Sequence, residues 1–503
     1  MKRIILLLGV ACAVALGACE KELDQVPISN GSVPEFYKSA ADFDQAMTSV
    51  YSQLRGFPNR EVILSEVRSD NIYASSAVGG REWDPVNNFS TLLTINNLVA
   101  DAWAQDYSTI FRANTMLDQL AANGAVTGSL RTRYQAESRF IRAFMYFDLV
   151  RKFGKVPVID RALLPREVAL IGRAEVPAVY KLIIDDLEFA IANLPVSYTG
   201  ANVGRATAGA AKGMLALVYL TRSGPTYGIN GPGLASNEYD KASALLDDII
   251  AARGTARYAT QATYAGIFSP TAENNPEVLF DIQYFSNGSV GSSFQNIVAP
   301  DDYFRSLGLS FTAGSVEIKP TSNDLANVSY APTDLRRAFN IQFGYTYLTT
   351  TDTRPFFKKY IQVAAKGASN GDWGLNYIVL RYTDILMMKA ECLVRNVGGG
   401  AADALLLVNP IRVRAAQPAL TSLTLESLME ERRREFAGEN IRWYDLVRSG
   451  LALTVMNAWA QREDLAPPFN KITRPITANL LLYPVPQVEL SSVPGLYDQN
   501  PGY

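Results

Sequence analysis

The sequence predicts a mainly α fold, a scaffold of stacked helical hairpins that carries one irregular, loop-rich lobe containing short strands. Three observations point there. Apolar stripes at helical spacing recur from Phe43 to Ile249 and return after Tyr377. Between them, residues 255–376 lose the stripes and gain Gly, Ser, Asn, Thr and Pro, with one period-two run, Glu277–Tyr284, that reads as a strand ended by Asn287-Gly288. Finally, the order of a bulky helix, a small-residue helix and another bulky helix between Tyr180 and Ile250 fits helical pairs packed face to face.

The first helix carries Phe43, Ala46, Met47, Val50, Tyr51 and Leu54 on one face and stops at Gly56. Residues 68–97 show no lasting period and read as a long polar loop around Trp83. Helices follow at 99–120, ended by Asn123-Gly124, and at 129–153, ended by Gly154. Pro177 sits where a first helical residue belongs, ahead of the stripe Tyr180, Ile183, Ile184, Leu187, Ile191 and Leu194. The next helix, 207–222, holds Ala208, Ala210, Ala211, Gly213 and Ala216, so a neighbour can approach closely. Tyr239, Ala242, Leu245, Leu246 and Ile249 mark the helix after it. These pairs resemble tetratricopeptide units, although the insertion 224–233 breaks their period of about 34 residues. Helices are expected again at 377–395, at 401–416 with a kink at Pro410, at 424–436 and at 440–448. The tail from Arg474 reads as extended.

The amino terminus reads as an export leader. Lys2 and Arg3 precede the apolar run Ile4–Leu16, which is shorter than the roughly 20 residues a permanent membrane helix needs. Leu16-Gly17-Ala18-Cys19 resembles the lipobox of bacterial lipoproteins, whose cysteine is acylated and becomes the first mature residue. The domain reading is therefore a leader at 1–18, a lipidated tether at 19–36, a helical scaffold at 37–254, the irregular lobe at 255–376 and a helical region at 377–503 that packs back on the scaffold.

Composition narrows the chemistry. The 503 residues are 48% hydrophobic and 19% charged, enough for a sizeable core. A net charge of −2 gives no basic surface for nucleic acid. There is no histidine, which removes Ser-His-Asp and Cys-His catalysis and imidazole metal sites together. Of three cysteines, Cys12 leaves with the leader and Cys19 carries the lipid. Cys392 then stands alone as a buried thiol, and the mature chain has no intrachain disulfide. No cofactor is expected: Gly398-Gly399-Gly400 lacks the Lys-Ser/Thr of a phosphate loop, and no metal site is assigned.

Two constellations stand out. Glu431, Arg432, Arg433, Arg434, Glu435 and Arg442 could bind an anion. Glu431 lies three and four residues from Arg434 and Glu435, however, and the spacing favours a structural ion-pair network. Trp83, flanked by Arg81, Glu82 and Asp84 in a loop with Asp70, Asn71 and Tyr73, is the sharpest binding candidate. An aromatic face can stack on the apolar face of a sugar while carboxylates and amides bond its hydroxyls. The competing reading is a Trp that plugs the loop onto the scaffold. Tyr284 and Tyr303 in the irregular lobe are further candidates, with Trp373 weaker, and Trp103 and Trp443 fit helical stripes as core.

Several blocks, in order along the chain, resemble the RagB/SusD family of surface lipoproteins from Bacteroidetes. They are 139–150 with Phe153-Gly154-Lys155-Val156-Pro157, the helix 377–391, Val408-Asn409 with Ile411-Arg412 and Arg414-Ala415, 431–446, and the ending Leu482-Tyr483-Pro484-Val485-Pro486 with Gln499-Asn500-Pro501-Gly502-Tyr503. The resemblance implies a helical scaffold with tetratricopeptide-like pairs and a variable lobe. It also implies a non-enzymatic role: a lipid-anchored protein on the outer face of the outer membrane, binding oligosaccharides or peptides and closing as a lid over a SusC-like TonB-dependent transporter. Glu20-Lys21-Glu22 after the cysteine is similar to the family's export signal to that face. Two alternatives stay open on the residues themselves, a lipid-anchored carboxylate hydrolase of glycans and a helical-repeat scaffold that docks proteins.

Overall fold

The computed structural model describes residues 36–74, 80–252, 258–288, 290–315, 317–463, 472 and 475–503. The leader, Cys19 and nearly all of the tether lie outside them. Helix α1 (Ala40–Ser52) starts at a capping box: the Ser39 hydroxyl accepts from the Asp42 amide and the Asp42 carboxylate accepts from the Ser39 amide. Its expected stripe, Phe43, Ala46, Met47 and Val50, is buried.

Five longer helices then stack in two layers. Helices α2 (Asn97–Ala122), α4 (Val176–Asn193) and α6 (Tyr239–Ala251) bury one face and leave the other in water. Helices α3 (Gly128–Phe153) and α5 (Ala208–Ser223) are buried over most of their surface, with one outer helix on each side. Small residues make the inner layer possible. A Cβ on Gly213 would lie 2.6 Å from the Leu380 side chain and 2.9 Å from that of Ile385. Gly154 ends α3 with φ at 68°, where a Cβ would strike the Asn230 carbonyl at 2.0 Å.

The repeat does not end at α6. Helix α7 (Tyr382–Val394) packs against α6 across the intervening irregular lobe and extends the inner layer, and α8 (Ala401–Arg414) lies on its outer side. The lobe is thus an insertion into a continuous stack of hairpins. Helices α9 (Leu425–Phe436), α10 (Arg442–Ser449) and α11 (Ala452–Glu463) close the chain back on the scaffold.

Strand β1 (Val278–Ile282) appears within the expected period-two run. Strands β2 (Ile341–Tyr347) and β3 (Thr350–Phe357) form an antiparallel hairpin in the lobe. The helix expected over 377–395 needs correction: its first five residues are strand β4 (Tyr377–Arg381), antiparallel to β1 with Asp281 opposite Ile378. Aromatic and β-branched residues there take a ladder partner from 100 residues upstream, a choice that local helical spacing does not register. Helix α11 was not foreseen. The tail is not simply extended but includes short helices at Ala478–Leu481 and Gln487–Ser492. Helix α8 runs unbroken through Pro410.

The cluster on α9 is structural, as its spacing implied. Arg432 pairs with Asp384 and Asp445, and Arg434 with Glu431. Arg433 reaches Asp70 and Asp324. Buried Arg336 and Arg381 complete it: Arg336 meets Glu431 and Glu435, and Arg381 meets Glu277, Glu435 and Glu439. Every buried charge named here has an opposite charge within 4 Å, the condition under which such charges are tolerated inside.

Candidate functional site

Residues 68–97 were expected as a polar loop, but their first part is interior. Asp70 and Asn71 are 1% and 0% exposed. Both Asp70 oxygens accept from Arg442 at 2.8 Å, while Asn71 donates to Glu66 and accepts from Arg433. Burial alone would raise the Asp70 carboxyl, but Arg433 and Arg442 outweigh it and hold it at about 2. Tyr73 is buried edge-on against Trp459 at 5.9 Å. These three side chains are committed to the protein's own interior.

Trp83 and Arg81 are placed differently. Residues 81–87 make a tight turn into the short helix Asp84–Asn87, with the Asp84 carboxylate accepting from the Arg81 amide at 2.8 Å. The indole packs partly on the scaffold core and remains half-buried. Lys319 Nζ lies 3.9 Å from its ring centroid, and the Arg81 side chain bonds Glu317 at 3.2 Å. Burial pulls the Lys319 ammonium down to about 7, against the nearby Glu317 charge, and its Nζ donates to the Ile297 carbonyl.

The segment 317–322 ties this turn to the lobe hairpin. Thr321 N donates to Pro355 O at 2.9 Å, and Pro320 O accepts from Tyr73 N at 3.0 Å. Beyond it, half-buried Tyr345 of β2 packs toward the small core of the lobe, while Phe343, across a register shift in the ladder, is 44% exposed with the Arg337 guanidinium 4.2 Å from its ring centroid. Tyr303 sits underneath, 5.9 Å from the Tyr345 ring and 4.8 Å from that of Phe356. Arg354 and Asp352 on β3 pair at 2.7 Å. Burial would raise Asp352, but the Arg354 guanidinium outweighs it and leaves the carboxyl below its usual range. The surface therefore combines an indole, the Tyr345 ring and two guanidinium–carboxylate pairs. That suits a ligand with an apolar ring face and a rim of hydroxyls.

Of the sequence candidates, Trp83 and Arg81 come together at this surface and Tyr303 supports it from below. Tyr284 lies elsewhere, buried, with its hydroxyl donating to Arg55 O at 2.6 Å. Trp373 is buried in the small core of the lobe, and Trp103 and Trp443 are core. Sequence reasoning missed Glu317, Lys319, Tyr345, Asp352 and Arg354. The alternation Phe343-x-Tyr345-x-Tyr347 was the available signal. Cys392 is buried and burial pushes its thiol up to about 12, as an inert core cysteine requires. Among the described residues, no group of three or more Cys, Asp or Glu is placed to hold a metal ion.

A family model described as the SusD family matches residues 345–503, and one described as starch-binding, associating with outer membrane, matches residues 23–220. The span between them supplies Tyr303, Glu317 and Lys319. A SusD-like protein of Formosa agariphila, P25, is 25% identical and covers 97% of each chain. One from Bacteroides ovatus is 26% identical over 89% of this chain and 82% of its own. Among solved structures, a laminarin binding SusD-like protein matches with TM-score 0.74 and 25% identity, covering 93% of this chain and all of that one. Surface glycan-binding protein A from Bacteroides fluxus matches with TM-score 0.78 and 22% identity, over 92% and 99% of the two chains.

Proposed function

The chain belongs to the SusD-like family, and on that premise we propose that it is a surface-held lipoprotein that captures oligosaccharides. It would pass them, as a lid, to a SusC-like TonB-dependent transporter in the outer membrane. The observation that carries the reading is the Trp83 platform with its charged fork, Arg81–Glu317, set beside the aromatic hairpin β2–β3. Aromatic stacking supplies affinity for sugar rings without dependence on charge, and the guanidinium–carboxylate pairs supply directional bonds to hydroxyls. Glu317 and Asp352 each bond an arginine, and Asp352 is held below its usual range. Asp352 is thus not poised as the raised-pKa acid that glycoside hydrolysis needs, which favours binding over cleavage. The description of one matched family as starch-binding, and of a similar structure as binding laminarin, makes glucans the first ligands to try. The acyl groups on Cys19 would hold the protein to the membrane.

The test is native affinity electrophoresis of the purified protein in gels containing starch, laminarin or other polysaccharides, with a peptide digest assayed in parallel. Retardation in at least one polysaccharide without release of reducing sugar is the expected result. Sugar release would make it a hydrolase. Retention by nothing in the panel, with a transporter still co-purifying from outer membranes, would leave only the docking role.

A further inference from the structure

A second cavity, of about 200 Å³, lies away from the Trp83 surface, between the outer face of α2, the segment 157–168 and the carboxyl-terminal tail. Three aromatic rings converge on it. Trp103 stands 5.3 Å from Tyr107 and 6.3 Å from Tyr497 between ring centroids, and half-exposed Phe111 forms the rim. Ile110, Ile159, Leu163 and Val168 make the remaining wall apolar.

Its polar groups are few. The Tyr107 hydroxyl is already committed, donating to the Pro157 carbonyl at 2.7 Å. The Glu489 carboxylate, on the short helix Gln487–Ser492, faces the cavity and is half-buried, and among the described residues no hydrogen-bond donor or cation pairs with it. Arg173, which packs against the tail, spends its guanidinium on the Lys155, Phe153 and Asp498 carbonyls and on the Asn500 side chain. Burial raises the Glu489 carboxyl, the cost of partial desolvation with no compensating charge.

A hydroxyl-rich ligand would leave most of its polar groups unmatched against this wall. A cation on an apolar body would match both the ring faces and the carboxylate, the arrangement by which aromatic cages bind ammonium groups. We propose that this cavity is a binding site for a small organic ammonium ion, with Trp103, Tyr107 and Tyr497 facing the cation and Glu489 pairing with it. At roughly 30 Å³ per water the cavity holds about seven waters, so a ligand of similarly few non-hydrogen atoms fits. This site is independent of the glycan reading, since it shares no residue with the Trp83 surface.

Calorimetric titration of the purified full-length protein with choline, and with its uncharged isostere 3,3-dimethyl-1-butanol, tests the assignment. Choline is expected to bind at least tenfold more tightly than the alcohol. Glu489→Gln should remove that preference, and Tyr497→Leu should weaken choline at least fivefold, with unchanged unfolding temperatures showing that both variants fold. Equal affinity for the two probes, no binding of choline at millimolar concentration, or a preference that survives Glu489→Gln would each overturn the proposal. Retardation in polysaccharide gels, read on the same variants, should not change.

Discussion

Asp70→Ala separates an interior role from a ligand-binding one. Asp70 bonds Arg442 through both oxygens at 2.8 Å and lies 3.3 Å from Arg433, and all three side chains are nearly fully buried. Removing the carboxylate leaves two guanidinium ions with reduced compensation, a class of change that costs about 3–5 kcal/mol. Arg433 keeps Asp324 and Asn71 and Arg442 keeps the Met429 carbonyl, which points to the lower end, ~3 kcal/mol. With ~2.1 cal/mol/K of unfolding entropy per residue, a chain of this length loses about 1 kcal/mol of stability per degree near Tm, so the expected drop is about 3 °C. The penalty should also depend on acid. In the folded chain Arg433 and Arg442 hold this carboxyl at about 2, below the 3.8 of a free aspartate, so it contributes stability above the higher value and loses it as pH falls through the lower. The gap between wild type and variant, followed by scanning calorimetry, should be full at pH 6 and shrink by about 2 kcal/mol between pH 4 and pH 2. Retardation in polysaccharide gels should be unchanged. An unaltered Tm with lost glycan binding would refute the placement of Asp70.

The Trp83 surface makes the opposite prediction. Trp83→Ala should weaken glycan binding about tenfold, the ~1.4 kcal/mol scale of one aromatic contact, while Tm falls by less than 2 °C. A large Tm loss with intact affinity would make Trp83 a plug. Lys319 is protonated more readily in the unfolded chain than in the folded one, where burial lowers it to about 7. Folding stability should therefore rise with pH between about 7 and 10.5, by up to ~1.4 kcal/mol per unit, and Lys319→Met should flatten that slope in thermal scans. Cys19→Ala should move the protein from the membrane to the soluble fraction after cell lysis, and a variant still sedimenting with membranes would rule out the lipid anchor.

Much of the scaffold was legible from local spacing. The stripe from Phe43 to Val50, the stop at Gly154, the close packing at Gly213 and the ion-pair role of the α9 arginines all follow from residue types a few positions apart. What failed was nonlocal. Residues 377–381 look helical beside α7 but pair as a strand with β1, and nothing within ten residues of Tyr377 reports that partner. The same holds for the site. Trp83 was visible because a large aromatic in a polar stretch is conspicuous, whereas Lys319 and Glu317 gain meaning only from what they touch.

The order and spacing of residues by themselves determined that this chain is a helical stack interrupted by an irregular lobe, because an apolar stripe is written within one or two turns of chain. Which polar residues of 68–97 face inward was decided only in three dimensions. Asp70 finds its guanidinium 372 positions away while Arg81, eleven residues later, turns toward the surface. A charge can be buried only where an opposite charge is already waiting, and the fold, not the neighbouring sequence, supplies that partner.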